Sequence, residues 1–225
     1  MNRPREVKIL LYEQVARIGK AVSSPKRLEL IEVLSQGEKS VDQLAREVEV
    51  SVKLTSAHLK ELKSARLVEA RRDGKNIYYS LIDTHVADMW VMLRTLAEER
   101  LFELQTAMRD LVSRPEELAP FNGSELLEQA QRGDVVVLDV RPESEFATAH
   151  LPFARSIPMT ELKQRLSELP ADKTIVAYCR GPFCMMAKEA VDLLSKQGLK
   201  ALHLEHGVAE WRANGLPLVS ETIKQ

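Results

Sequence analysis

The chain has 225 residues, 44% hydrophobic and 29% charged, an ordinary globular balance with enough apolar material for two small cores. Its apolar runs, such as Val135-Val136-Val137-Leu138, are a few residues long where a membrane span needs about 20, and two cysteines exclude a disulfide scaffold. The net charge of -1 hides an asymmetry: residues 1–82 hold 16 basic against 11 acidic side chains, a net of +5, and residues 83–225 a net of -6. A polyanion partner is therefore expected for the N-terminal part only. The opening Met1-Asn2-Arg3-Pro4-Arg5-Glu6 leads into an amphipathic stretch containing acids and has no small-residue cleavage site. No signal peptide and no membrane partner are expected, and the protein is read as cytoplasmic.

Along the chain, Val7, Leu10, Leu11, Val15, Ile18 and Val22 recur at helical steps and predict a first helix. Ser23-Ser24-Pro25 interrupts it with a serine cap and a proline at the first helical position, and Leu28, Ile31 and Leu34 carry a second helix to about Gly37. Ser40 caps a short third helix with Leu44, Ala45 and Val48. Ser51 opens a fourth through Leu54, Leu59 and Leu62. Arg71-Arg72-Asp73-Gly74-Lys75-Asn76, between Val68 and Ile77-Tyr78-Tyr79, reads as a hairpin turn between two strands.

From Asp83 to about Ser113 there is no Gly or Pro, and the apolar period predicts one helix of about 30 residues, long enough to seek a partner helix. Two consecutive helices with a kink are the alternative. Arg114-Pro115-Glu116-Glu117-Leu118-Ala119-Pro120 reads as a linker, since two prolines disfavour helix. Strands are then predicted at Val135–Val140, Thr174–Tyr178 and Ala201–Leu204, and helices at 124–131, 160–166, 185–196 and 208–213. That alternation implies a parallel sheet covered by helices on both faces.

Residues 40–64 form two short helices joined at Glu49-Val50-Ser51. In a helix-turn-helix the second helix enters the major groove, and its polar face must offer donors to bases and phosphates. Lys53, Thr55, Ser56, His58, Lys60 and Lys63 are the candidates there, with Arg71, Arg72 and Lys75 on the hairpin for phosphates. With Ser24-Pro25-Lys26-Arg27-Leu28 and the closing Gly74-Lys75-Asn76-Ile77-Tyr78-Tyr79-Ser80-Leu81, the segment from about Val15 to Ile82 resembles the ArsR family of winged-helix repressors. The resemblance implies a homodimer built on the first and last helices and bound to a two-fold-symmetric operator. The third-helix segment Lys39-Ser40-Val41-Asp42-Gln43-Leu44 has no cysteine, which excludes a thiolate metal site there. Asp83 and His85 read as a helix cap with a surface histidine, and no metal ligands are assigned.

Val136-Val137-Leu138-Asp139-Val140-Arg141-Pro142-Glu143-Ser144-Glu145-Phe146, His150-Leu151-Pro152-Phe153-Ala154-Arg155-Ser156-Ile157-Pro158 and His206-Gly207-Val208-Ala209-Glu210-Trp211 together resemble the rhodanese domain. By that resemblance Cys179, in Tyr178-Cys179-Arg180-Gly181-Pro182-Phe183-Cys184, takes the place of the persulfide-forming nucleophile. A thiol at the end of a parallel strand faces the crevice where open sheets bind ligands, and both a following helix N-terminus and Arg180 are expected to favour its thiolate. The family pattern has Gly three residues after the cysteine. Here Gly181 comes at two, Pro182 at three and Cys184 at five, which removes one N–H from the anion cradle. Cys184 lies close enough in sequence to resolve a sulfenate or persulfide on Cys179. Asp139 and Arg141 are read as a buttressing ion pair, and His206 as a possible neighbour of Cys179. His203 and His206 complete a zinc-like spacing on paper, but their place on and after a strand speaks against a ligand set.

The reading is two-domain: a mainly α winged helix-turn-helix for DNA binding and dimerisation (1–113), a linker (114–120), and an α/β parallel-sheet rhodanese-like domain (121–219). The expected function is a regulator, in the repressor sense, that binds operator DNA as a homodimer and senses a small sulfur-containing or oxidising ligand through a cysteine pair, without a cofactor. A rhodanese-type sulfurtransferase with an autoregulatory DNA-binding domain is the alternative.

Overall fold

Serine side chains cap two of the helices of the N-terminal unit, those that begin after Ser40 and Ser51. The computed structural model describes residues 3–111, 118–119 and 122–221, and the chain divides into two compact units, Met1–Trp90 and Val91–Gln225. In the first, α1 (Arg3–Val22) leads to α2 (Pro25–Leu34), whose proline sits where a missing N–H leaves no helical bond unmade. Ser24 precedes α2 without the expected side-chain cap. Its own carbonyl takes the amides of both Arg27 and Leu28, at 3.1 Å each. Ser40 starts α3 (Val41–Glu47) through a reciprocal box with Gln43, and Ser51 starts α4 (Val52–Ser64) by accepting the Leu54 amide.

The hairpin pairs β2 (Val68–Asp73) with β3 (Asn76–Leu81) around Gly74-Lys75. A two-residue strand, β1 (Lys39–Ser40), adds to β3, giving a three-stranded antiparallel sheet. That strand is too short to show a period in sequence. Leu30, Ile31, Leu44, Leu59 and Leu62 are fully buried and form the centre of this unit, with Val86, Ala87 and Trp90 at its end.

The single helix expected over 83–113 is interrupted at Leu101, leaving α5 (Thr84–Arg100) and α6 (Phe102–Leu111). The Gln105 amide donates to the carbonyls of Glu98 at 2.8 Å and Glu99 at 3.4 Å, occupying acceptors that an uninterrupted helix gives to backbone amides. The expected linker lies outside the described residues except for Leu118 and Ala119. These two extend the sheet instead: Leu118 bridges to His203, and the Ala119 amide donates to the His203 carbonyl at 2.9 Å.

The second unit holds a four-stranded parallel sheet in the order β5 (Arg155–Ser156), β4 (Val135–Asp139), β6 (Thr174–Tyr178), β7 (Ala201–Leu204). Side chains alternate across it. Val136, Leu138, Ile175, Ala177 and Cys179 pack with α9 (Met159–Leu162) and α10 (Met186–Lys196), while Val137, Val176, Tyr178 and Leu204 pack with α7 (Gly123–Arg132) and α11 (Val208–Ala213). The helix expected over 160–166 resolves into α9 and a 3-10 turn at Leu166–Glu168, and a short α8 (Glu143–Thr148) follows β4. Asp139, Tyr178 and Leu204 stand in register, so the segments that follow all three strands leave the same edge of the sheet.

No helix among the described residues is long and apolar enough to cross a membrane.

Candidate functional site

Two groups of side chains carry chemistry, one in each unit. On α4 the buried face is Thr55, Leu59 and Leu62, which stand four and three residues apart. Thr55 is fully buried and donates its hydroxyl to the Ser51 carbonyl at 3.1 Å, so it is a packing residue and not the DNA contact expected from sequence. Leu54, read as part of the apolar face, is exposed beside Val52 and Lys53. The Thr55-Leu59-Leu62 spacing was the available signal. Lys53, Lys60 and Lys63 are exposed, and Ser56 and His58 are half-buried.

On the hairpin Arg71, Arg72 and Lys75 are all exposed, yet they differ. Arg71 is held by Glu38 at 2.7 and 3.1 Å and by Asp73 at 3.3 Å, with its guanidinium 5.1 Å from the centre of the Tyr78 ring. Arg72 donates to the Gly74 carbonyl at 3.2 Å.

In the second unit Cys179 follows β6 directly and is 2% exposed. Its thiol donates to the Cys184 carbonyl at 3.2 Å, and the Cys184 amide donates to the Gly181 carbonyl at 3.0 Å. Burial pushes the Cys179 thiol well above the usual thiol range, with the neighbouring Cys184 adding to the rise against the amides of Ala187 and Gly181. Cys184 is half-buried and goes the other way. The hydrogen bond from Cys179 brings it down to about 7, against its own desolvation and helped by the Arg180 and Met186 amides and the Arg180 charge. Burial thus works against the thiolate expected from sequence on Cys179, while the first turn of α10 faces both sulfurs and Cys184 keeps more solvent. Arg180 is committed elsewhere: its guanidinium grips Glu145, itself 1% exposed, at 2.6 and 3.0 Å.

Asp139 and Arg141, both fully buried, form an ion pair at 2.6 Å, and Arg141 also donates to the Ala149 carbonyl at 2.8 Å. His206 is half-buried and feels Glu210 and Arg94, its imidazole being lowered first by burial. The residue of that turn that meets the cysteine loop is Gly207. A Cβ there would fall 2.3 Å from the Arg180 carbonyl oxygen and 2.6 Å from that of Cys179. Glu210 caps the Gly207 amide at 2.7 Å and pairs with Arg94 at the same distance. Sequence reasoning missed Glu145, Gly207, Glu210 and Arg94 as parts of the site; the first three lie within the rhodanese-like motifs, and Arg94 left no signal. Among the described residues no group of three or more His, Cys, Asp or Glu could hold a metal ion.

The model of the bacterial regulatory protein arsR family matches residues 24–70, and that of the rhodanese-like domain matches residues 122–214. The HTH-type transcriptional regulator Rv0324 of Mycobacterium tuberculosis is 40% identical over 211 residues, covering 94% of this chain and 92% of that protein. The chain belongs to the ArsR family. This ArsR-family transcriptional regulator carries a rhodanese-like domain behind its winged helix-turn-helix. Its C-terminal part is 36% identical over 100 residues to a sulfurtransferase of Allochromatium vinosum, covering 43% of this chain and 92% of that protein. A solved winged helix-turn-helix DNA-binding domain of a possible ArsR-family regulator from Mycobacterium bovis, described as homodimeric, is 38% identical at a TM-score of 0.40 and covers 43% of this chain and 89% of that one.

Proposed function

We propose that this regulator represses transcription in the cytoplasm as a homodimer on a two-fold-symmetric operator, and that its rhodanese-like domain responds to a reactive sulfur species or an oxidant through Cys184 and Cys179. DNA binding and dimerisation are assigned to residues 1–113 and the response to residues 121–219. One observation carries the reading: two cysteines share one loop at the C-terminal edge of the sheet, the buried Cys179 thiol donating to the Cys184 carbonyl at 3.2 Å and Cys184 being the more accessible of the two. Cys184 thiolate attacks hydrogen peroxide, forming Cys184–S–OH and releasing hydroxide. The Cys179 sulfur then attacks the Cys184 sulfur, an S–S bond forms, and a second hydroxide leaves with the thiol proton as water. Two electrons pass from the sulfurs to the peroxide. With a polysulfide, the Cys184 thiolate attacks a terminal sulfur, that S–S bond breaks and the shortened polysulfide leaves, giving a Cys184 persulfide; the Cys179 sulfur then attacks the Cys184 sulfur and hydrosulfide leaves with the thiol proton as hydrogen sulfide.

The test is mass spectrometry of both cysteines after peroxide or polysulfide treatment, paired with binding to a duplex selected by the protein itself. Operator affinity is expected to differ between reduced and treated wild type and not in the Cys179→Ser/Cys184→Ser double variant. Identical affinity in all four samples sinks the reading. Similarity to the A. vinosum sulfurtransferase favours the second reading, sulfur transfer as an enzyme, which requires a persulfide on Cys179 after thiosulfate alone and its transfer to an acceptor thiol.

A further inference from the structure

Arg94 is a buried cation that the thiol chemistry above does not use. It lies within the second unit, on the part of α5 one turn beyond Trp90, with its side chain 3% exposed. Its guanidinium donates to Glu210 at 2.7 Å and to Glu98 at 2.9 Å, and it stands 5.7 Å from the centre of the Phe183 ring. Glu210 is buried as well, and its second oxygen accepts the Gly207 amide. This pair touches the cysteine loop. A Cβ on Gly181 would meet both Glu210 carboxylate oxygens at 3.2 Å and the Arg94 guanidinium at 3.4 Å, so a side chain there would press on the ion pair. Gly207, held by Glu210, abuts the carbonyls of Cys179 and Arg180. The loop thus lies beside the charge pair at Gly181 and Phe183, and at Cys179 and Arg180 it meets Gly207, whose amide Glu210 caps; the cation of the pair is carried by α5.

We infer that Arg94 is the positioning residue that ties the state of the cysteine loop to helix α5: the reduced loop fits the Arg94–Glu210 pair, and closing a Cys179–Cys184 disulfide draws Gly181 and Phe183 away from it. The inference rests on the cysteine-pair reading above. The S–S bond consumes the thiol proton that Cys179 donates to the Cys184 carbonyl, so the contact that holds the loop in its reduced shape is lost in the step that forms the disulfide. Whatever the ion pair gives to the reduced loop, it withholds from the oxidised one, and the coupling is reciprocal.

The full-length protein is tested as Arg94→Met, as Arg94→Met/Glu210→Gln, which leaves no orphan carboxylate, and as Arg94→Lys. In reduced protein the ratio of Cys179 to Cys184 alkylation by iodoacetamide is expected to rise about tenfold in the first two and to stay within about threefold of wild type in Arg94→Lys. Urea unfolding confirms that each variant is folded. In a glutathione redox buffer the constant for disulfide formation should rise about tenfold in Arg94→Met, a potential about 30 mV lower. An alkylation ratio unchanged in Arg94→Met overturns the positioning role, whether or not wild type forms a disulfide. A ratio shifted in Arg94→Met, together with a wild type that forms no disulfide, supports the positioning role and overturns the cysteine-pair reading alone.

Discussion

A cysteine reacts as its thiolate, and the charge on sulfur depends on how much solvent it gives up against how many donors face it. Cys179 gives up nearly all of it; Cys184 keeps some and gains a donor from Cys179. The rate of Cys184 alkylation should therefore rise with pH to a half-maximum near 7, and Cys184→Ser should abolish sulfenate formation. Cys179→Ser should leave a sulfenate trapped on Cys184; mass spectrometry that finds it on Cys179 in Cys184→Ser instead would reverse the roles. His203 supplies a second test. Its Nε2 is buried without a hydrogen-bond partner among the described residues, and burial brings the imidazole down to about 4. Because this folded-state value lies below the ordinary one near 6.5, the unfolded chain takes up the proton first and stability is lost as pH falls from about 6.5 toward 4. His203→Leu should reduce the stability difference between pH 7.5 and pH 5, measured by urea unfolding, by about 2 kcal/mol. At this scale the sequence was legible for position and not for environment. A strand followed by a helix placed Cys179 and Cys184 in one loop, but which sulfur is buried, and that Arg94 pairs with Glu210 across 116 positions, depends on packing that no local pattern encodes.

Elements follow local rules where the rule is strong. The capping serines Ser40 and Ser51 and the Asp-Gly hairpin could be read directly because each satisfies backbone groups within a few residues, whereas Ser24, read as a cap, makes no side-chain cap bond. The two-residue strands β1 and β5 could not, since two residues are too few to show a period. The end of α5 could not either, since it is a side chain, Gln105, that competes for its carbonyls. The face of α4 belongs here too. With Thr55, Leu59 and Leu62 turned inward, Lys53 and Lys60 are left to meet phosphate, and Lys53→Ala or Lys60→Ala should each lower the slope of log K against log salt by about 0.9. Arg72→Ala should do the same, and Arg71→Ala less, because Glu38 and Asp73 already engage that guanidinium. Thr55→Val should cost about 1 kcal/mol of stability and leave the slope alone. Fluorescence anisotropy at several salt concentrations measures all five slopes, and a slope that falls for Thr55→Val as it does for Lys53→Ala would return Thr55 to the interface.

For the whole molecule the question is what covers the apolar residues that the two cores leave out. Helix α1 exposes Val7, Leu10, Leu11, Tyr12 and Val15, with Val15 at 71%, and α5 exposes Met92, Leu93 and Leu96. Exposed apolar residues grouped on a helix in this way mark an association site, and a homodimer is the association that ArsR-family likeness implies. Wild type should therefore sediment at about twice the 25.4 kDa chain mass at micromolar concentration, and Leu11→Glu or Leu93→Glu, which would bury an unpaired charge in the seam, should sediment as a monomer. Operator affinity should fall with it, because a dimer reads two half-sites about one helical turn apart with a single body and a monomer reads only one. A monomeric wild type would remove both the dimer and the reason for a two-fold operator. Sedimentation of peroxide-treated protein then separates two routes of response. If the oxidised protein loses its operator while staying dimeric, the change is carried inside the dimer; if it dissociates, the change reaches the seam to which α5 contributes Leu93 and Leu96.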